Sequence, residues 1–218
     1  VSSPGDWDAR YRASDHLWPI APNLWVAEQM ADSVAGRALD LGAGEGRNTL
    51  WLARAGWSVM AVDFAAVALE RGHAKAAEDP TLARRIEWVT ADLRTFSPEP
   101  EAFDLVLLSY IHLPADERAG LLRRAATGLA VGGTLLVVGH ARRNATDGVG
   151  GPVDVDRLFE PADVIADLQG SGLRVEVAEE RLRPVDGSKR PAIDVLVRAR
   201  RPRRPTESLH ALGGHHAA

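Results

Sequence analysis

The chain has no cysteine among its 218 residues, which excludes disulfides, thiolate metal sites and a cysteine nucleophile together. No apolar run reaches the roughly 18 residues of a membrane span, and no charged-then-apolar leader opens the chain. Neither a membrane partner nor a signal peptide is therefore expected, and a cytoplasmic protein is the default. A basic excess is missing as well. Lys and Arg number 26 against 30 Asp and Glu, a formal net charge of −4, and the pI is about 6.0. With no global positive field, a nucleic-acid partner is not expected. The local run Arg200-Arg201-Pro202-Arg203-Arg204 reads as a solvated tail.

What is present suits an ordinary globular chain, 45% hydrophobic and 26% charged. Residues 37–41, 58–63, 86–91, 103–109 and 134–138 read as short buried strands, and residues 48–55, 65–78 and 116–129 carry helical spacing. The pair Gly132-Gly133 is expected to end the last of these helices. Apolar strands separated by helices predict a parallel sheet covered on both faces. After a helix at 161–170 the pattern changes. Residues 173–179 and 192–199 leave no room for a helix between them, and Asp186-Gly187 is a hairpin signal. The expected fold is α/β: Rossmann-like and doubly wound, with a mostly parallel seven-stranded sheet ending in an antiparallel hairpin. Before the first strand, Trp7, Tyr11, Trp18 and Trp25 crowd two expected helices, at 7–13 and 22–31. Residues 1–35 are expected to form a helical lid, 36–200 the main domain and 201–218 a disordered tail. The tail histidines His210, His215 and His216 lack a folded second shell, so no metal site is expected.

The stretch LDLGAGEGRN carries the chemistry. Gly42, Gly44 and Gly46 form a turn between a strand and a helix, the context in which backbone approaches a ligand closely. A dinucleotide motif needs a glycine where Arg47 stands, and a P-loop needs Gly-Lys-Ser/Thr where the chain has Gly46-Arg47-Asn48. Both phosphate readings fail. Asp40 beside the turn would repel phosphate and welcome a cation, which suits a nucleoside bearing an ammonium and a sulfonium.

Four motifs then agree in order. Asp40-Leu41-Gly42-Ala43-Gly44-Glu45-Gly46 resembles the first motif of the class I S-adenosylmethionine-dependent methyltransferases. Asp63-Phe64 ends the second strand, Asp92-Leu93 the third, and Phe103-Asp104-Leu105-Val106 opens the fourth as the family's FD motif does. The resemblance spans about residues 36 to 199 and implies S-adenosylmethionine as cofactor, with S-adenosylhomocysteine as product. It implies that Asp63 holds the ribose, Phe64 packs on adenine, and Asp92 and the Leu93 amide meet the adenine edge. Asp40, Gly42, Gly44, Gly46 and Ser109 complete the expected cofactor site. Asp104 reads as structural.

The acceptor side is expected after the fourth and fifth strands. His112 and His140 are the candidate bases, and Trp7, Tyr11, Trp18, Tyr110 and Arg142 the candidate substrate contacts. SYIH, after the fourth strand, lacks the Asn/Asp-Pro-Pro-Tyr/Phe pattern of nucleobase amine methyltransferases, and Ser109 stands where metal-dependent catechol-type enzymes place an acid. The layout is similar to tellurite-resistance and thiopurine-type methyltransferases, so a small-molecule acceptor is expected. A protein or RNA acceptor and a non-catalytic cofactor-binding protein stay open as alternatives; a nicotinamide oxidoreductase is disfavoured by Arg47 and the terminal hairpin. Oligomeric state is not readable.

Overall fold

The computed structural model describes residues 4–14 and 21–203. Trp18 and residues 204–218, with the three tail histidines, lie outside the described residues. Seven strands form one sheet: β1 (Arg37–Leu41), β2 (Ser58–Asp63), β3 (Ile86–Thr90), β4 (Phe103–Ser109), β5 (Leu129–His140), β6 (Arg174–Arg183) and β7 (Ala192–Arg200). Their order is β3-β2-β1-β4-β5-β7-β6. The first five run parallel, whereas β7 pairs antiparallel with both β5 and β6.

The strands read as unbroken apolar runs because both faces are covered. Leu39, Leu41, Val106 and Leu108 enter one core cluster, while Ala38, Leu105 and Leu107 enter the other. Successive side chains point to opposite faces, and each buried leucine contributes about 1.5–3 kcal/mol. Helices α3 (Arg47–Arg54), α4 (Ala66–Ala77) and α6 (Ala115–Thr127) are the main crossovers, with a short α5 (Pro80–Ala83) between α4 and β3. Two short helices, α7 (Asn144–Asp147) and α8 (Pro161–Asp167), lead from β5 to the hairpin.

One expected boundary is corrected. Helix α6 stops before Gly132-Gly133, at Thr127, where the Gly128 N–H bonds back to the last turn. The glycine pair lies inside β5, and the pairing of β4 with β5 shifts register across it. Gly132 takes φ +85, which lets the strand bulge where a side chain would be strained.

Near the N-terminus, α1 (Pro4–Arg12) lies against α4, and the Asp8 carboxylate accepts the Val67 N–H. Helix α2 (Leu24–Met30) instead sinks Trp25, Val26 and Met30 into the sheet core. Chain order reverses between β1 and β4, the switch point where open α/β sheets leave a crevice at the strand ends. Among the described residues no helix is long and apolar enough to cross a membrane.

Candidate functional site

A cavity of about 560 Å³ opens at that switch point, within the range of small-molecule sites. The glycine turn forms its floor. Gly42, Gly44 and Gly46 all have positive φ, at +78, +55 and +79. A Cβ on Gly44 would stand 2.9 Å from the Tyr11 hydroxyl, and one on Gly42 would collide with Ile111. Gly46 serves a different purpose. Its absent side chain makes room for Trp88 of β3, and it does not line the cavity.

Asp63, at the end of β2, is buried, and its two oxygens accept the N–H groups of Gly44 and Ala65, both at 2.9 Å. Burial pushes its pKa up, against these backbone bonds. Each oxygen keeps a second lone pair, and the residue lines the cavity beside Phe64, Leu93 and Ser109. The Ser109 Oγ is buried without a partner, so a ligand in the cavity would complete it. Asp92 is more exposed and is gripped by Arg94, whose Nε and Nη2 both donate to it; this hydrogen bonding holds it below the usual carboxylate range. A ligand amine at Asp92 must therefore share it with Arg94.

Asp40 departs from expectation. It lies beneath the turn, off the cavity wall, with Oδ2 accepting the Thr49 hydroxyl at 2.6 Å and Oδ1 unpartnered. Burial pushes its pKa up to about 6 despite the Thr49 bond. A carboxylate so dry is a poor greeter of cations; Glu45, Asp63 and Asp92 are the acids on the cavity wall.

The opposite wall is organised by Asp194 of β7, which is fully buried. Its Oδ2 accepts Trp25 Nε1 at 2.9 Å, the Tyr110 hydroxyl at 2.8 Å and Arg183 Nε at 2.6 Å. Its Oδ1 stands 3.3 Å from His140 Nδ1, too poorly aligned for a full hydrogen bond. Burial alone would raise the Asp194 pKa, but His140, Arg183 and Trp25 together hold it at about 2. An ionised Asp194 places the His140 proton on Nδ1 and leaves Nε2 as the acceptor. His140 lines the cavity, and Nε2 has no hydrogen-bond partner among the described residues. Tyr110, whose φ of +58 marks a strained turn, has its hydroxyl committed to this cluster. Only its ring is available to a ligand.

His112 is corrected as a base. Its Nε2, the one nitrogen with a free lone pair, already accepts the His140 backbone N–H at 3.1 Å. Burial, with His140 stacked 5.5 Å away, pushes its pKa down to about 3. The fold therefore keeps His112 neutral where the unfolded chain would titrate near 6.5. The unfolded state binds the extra proton between about pH 6.5 and 3, so stability falls with pH there by about 1.4 kcal/mol per unit. Asp40 acts oppositely between about pH 6 and 4, because there the fold holds the proton. Comparing His112→Gln with wild type cancels Asp40. Wild type is expected to lose stability relative to the variant by about 1.4 kcal/mol per pH unit from about pH 6 to 4, as read by urea titration. A pH-independent difference would show that His112 is not held neutral.

Arg142 is also corrected. It pairs with Asp163 at 2.9 Å on the surface and does not line the cavity; Gly151, Pro152 and Arg157 of the following segment do. Of the expected aromatic contacts, the three that lie among the described residues, Trp7 and Tyr11 of α1 and Tyr110, all line the cavity. Trp25 does not line the cavity; it packs in the sheet core and donates its indole N–H to Asp194. Asp194 itself escaped sequence reasoning, although a lone acid inside the apolar run AIDVLV was its signal. Among the described residues no metal-binding cluster occurs.

Residues 38–133 match the family model of a methyltransferase domain. A demethylmenaquinone methyltransferase of Clavibacter sepedonicus is 38% identical over 98 residues, which is 44% of this chain and 36% of that protein. The chain thus spans about a third of that relative's length. A solved structure of a glycopeptide N-methyltransferase complexed with S-adenosylmethionine superposes with a TM-score of 0.64 at 25% identity, covering 82% of this chain and 93% of that one. A structure concerned with converting a disulfide bond into a thioacetal group during echinomycin biosynthesis gives a TM-score of 0.71 at 22% identity, covering 91% and 92%. With a methyltransferase-domain match over residues 38–133, a glycine turn at the switch point and a sheet ending in the β6–β7 hairpin, the chain has the Rossmann-like fold of S-adenosylmethionine-dependent methyltransferases.

Proposed function

We propose that the protein methylates a small molecule held between the glycine turn and His140. One observation carries this reading: a single cavity joins Gly42–Gly44 and Asp63 on one side to the His140–Asp194 pair on the other. When bound, S-adenosylmethionine supplies a methyl group already activated on sulfonium. Asp63 would hold the ribose through its spare lone pairs, Phe64 and Leu93 would pack on the adenine, and Asp92 with the Leu93 amide would read its edge, while the unpartnered Ser109 hydroxyl would add a hydrogen bond to the bound group. Helix α1 acts as the lid, with Trp7 and Tyr11 closing the cavity over the turn and keeping water from the reacting atoms.

The protein's own chemical task is alignment and one proton transfer. His140 Nε2 takes the proton of the acceptor's hydroxyl as the new bond to methyl forms, while Nδ1–H faces ionised Asp194 and steadies the imidazolium. The bound cofactor would supply the methyl carbon, with the electron pair of its carbon–sulfur bond left on sulfur. Apolar walls of Ile111, Leu113, Pro114 and Pro152 suit a small organic body. The relatives act on acceptors as different as demethylmenaquinone and a glycopeptide, so likeness alone does not choose the substrate.

The test is release of S-adenosylhomocysteine across panels of phenols, hydroxy acids, amines and thiols, set beside protein and RNA mixtures. Turnover within the small-molecule panels is expected, fastest among hydroxyl acceptors. Turnover with protein or RNA alone would contradict a small-molecule acceptor.

A further inference from the structure

We propose that Arg47 is the receptor for an anionic group on the acceptor, so that the substrates are small organic acids, with a carboxylate as the recognised group. This rests on the cavity being a methyl-transfer site.

Arg47 opens α3 and lines the cavity together with Tyr110 and His140. Its guanidinium lies 5.6 Å over the Tyr110 ring. Among the described residues it forms no hydrogen bond and no ion pair, although it is partly buried. The carboxylates whose fields it feels, Asp40 and Asp194, are engaged elsewhere: Asp40 by Thr49, and Asp194 by Trp25, Tyr110 and Arg183. Of the other arginines on the cavity wall, Arg157 pairs with Asp154, Arg94 with Asp92, and Arg10 stacks on the Trp7 ring.

Folding gives no reason for a cation here. The N-terminus of α3 is the positive end of the helix dipole, so a positive side chain in its first turn is disfavoured. Desolvating an unpaired guanidinium adds a further cost, seen in the lowering of its proton affinity by burial. A carboxylate entering the cavity would offset both, and the planar fork of arginine matches it with two parallel hydrogen bonds. With the acid group held at Arg47, the body of the acceptor lies along the Tyr110 ring and its reacting oxygen is left to His140.

The experiment is calorimetry on the full chain saturated with S-adenosylhomocysteine. Matched pairs serve as probes: benzoate against benzamide, phenylacetate against phenylacetamide, and indole-3-carboxylate against its amide. The acid is expected to bind at least about tenfold tighter than its amide in one or more pairs. Arg47→Gln is expected to erase that preference while leaving S-adenosylhomocysteine affinity within about twofold. Three results would overturn the proposal: no acid preferred in any pair, a preference that survives in Arg47→Gln, or a variant whose main loss is in S-adenosylhomocysteine binding. That last result would assign Arg47 to the cofactor's own carboxylate. Failure of wild type to bind S-adenosylhomocysteine at all would instead overturn the methyl-transfer reading beneath it.

Discussion

Replacing His140 with glutamine is expected to lower kcat by about 10²- to 10⁴-fold, the usual weight of a positioned general base. S-adenosylhomocysteine affinity should stay within about threefold, because His140 lies on the wall opposite Asp63. The expectation follows from how β5 and β7 place two side chains. Their antiparallel register sets His140 directly against Asp194, and Asp194 is kept ionised by His140 itself with Arg183 and Trp25. Glutamine fills much of the same space but has no basic nitrogen. A single-turnover assay separates the chemical step from cofactor binding. Unchanged rates with hydroxyl acceptors would show that alignment alone suffices and that His140 only packs. His112→Gln should have a much smaller effect on turnover, since its lone pair is spent on the His140 amide.

The second large effect is expected at Asp63. Its replacement by alanine should weaken S-adenosylhomocysteine binding by more than tenfold, equivalent to at least about 1.4 kcal/mol. Two losses combine. The ribose loses a charged acceptor, and the N–H groups of Gly44 and Ala65 lose theirs inside a buried turn. An unsatisfied buried donor costs about 1–3 kcal/mol, and Gly44 then lacks the bond that fixes its left-handed conformation. Asp63→Asn keeps one oxygen acceptor but presents an amino group to one of the two N–H donors, so its loss should fall between wild type and alanine. Calorimetry checks the series, and equal affinity across it would remove Asp63 from the site.

Much of this molecule was legible in its residues because local chemistry and tertiary role coincide. Strands such as SVMAVD and FDLVLLS announce their burial by composition, and β2 and β4 have the bounds the sequence predicts. Gly42 and Gly44 mark the turn because only glycine adopts those angles without strain. Asp63 sits where a strand end meets the crevice, a position set by sheet topology. The errors arise where a side chain's direction, not its place in the chain, decides its role. Asp40 is one residue of strand pleat away from the cavity and turns beneath the turn to Thr49. Arg142 follows β5 as expected but swings out to Asp163. His112 and His140 are indistinguishable as residue types; only the backbone N–H aimed at one and the carboxylate beside the other separate them. Asp194, 54 residues beyond His140 in the chain, meets it only through the pairing of β7 with β5.

Isothermal titration of the purified chain with S-adenosylhomocysteine, and in parallel with NAD, tests the central claim most directly. One-site binding of S-adenosylhomocysteine is expected, weakened more than about tenfold by Asp63→Ala and nearly unchanged by His140→Gln, with no heat from NAD. Binding of NAD in its place, or S-adenosylhomocysteine binding that ignores Asp63, would contradict it.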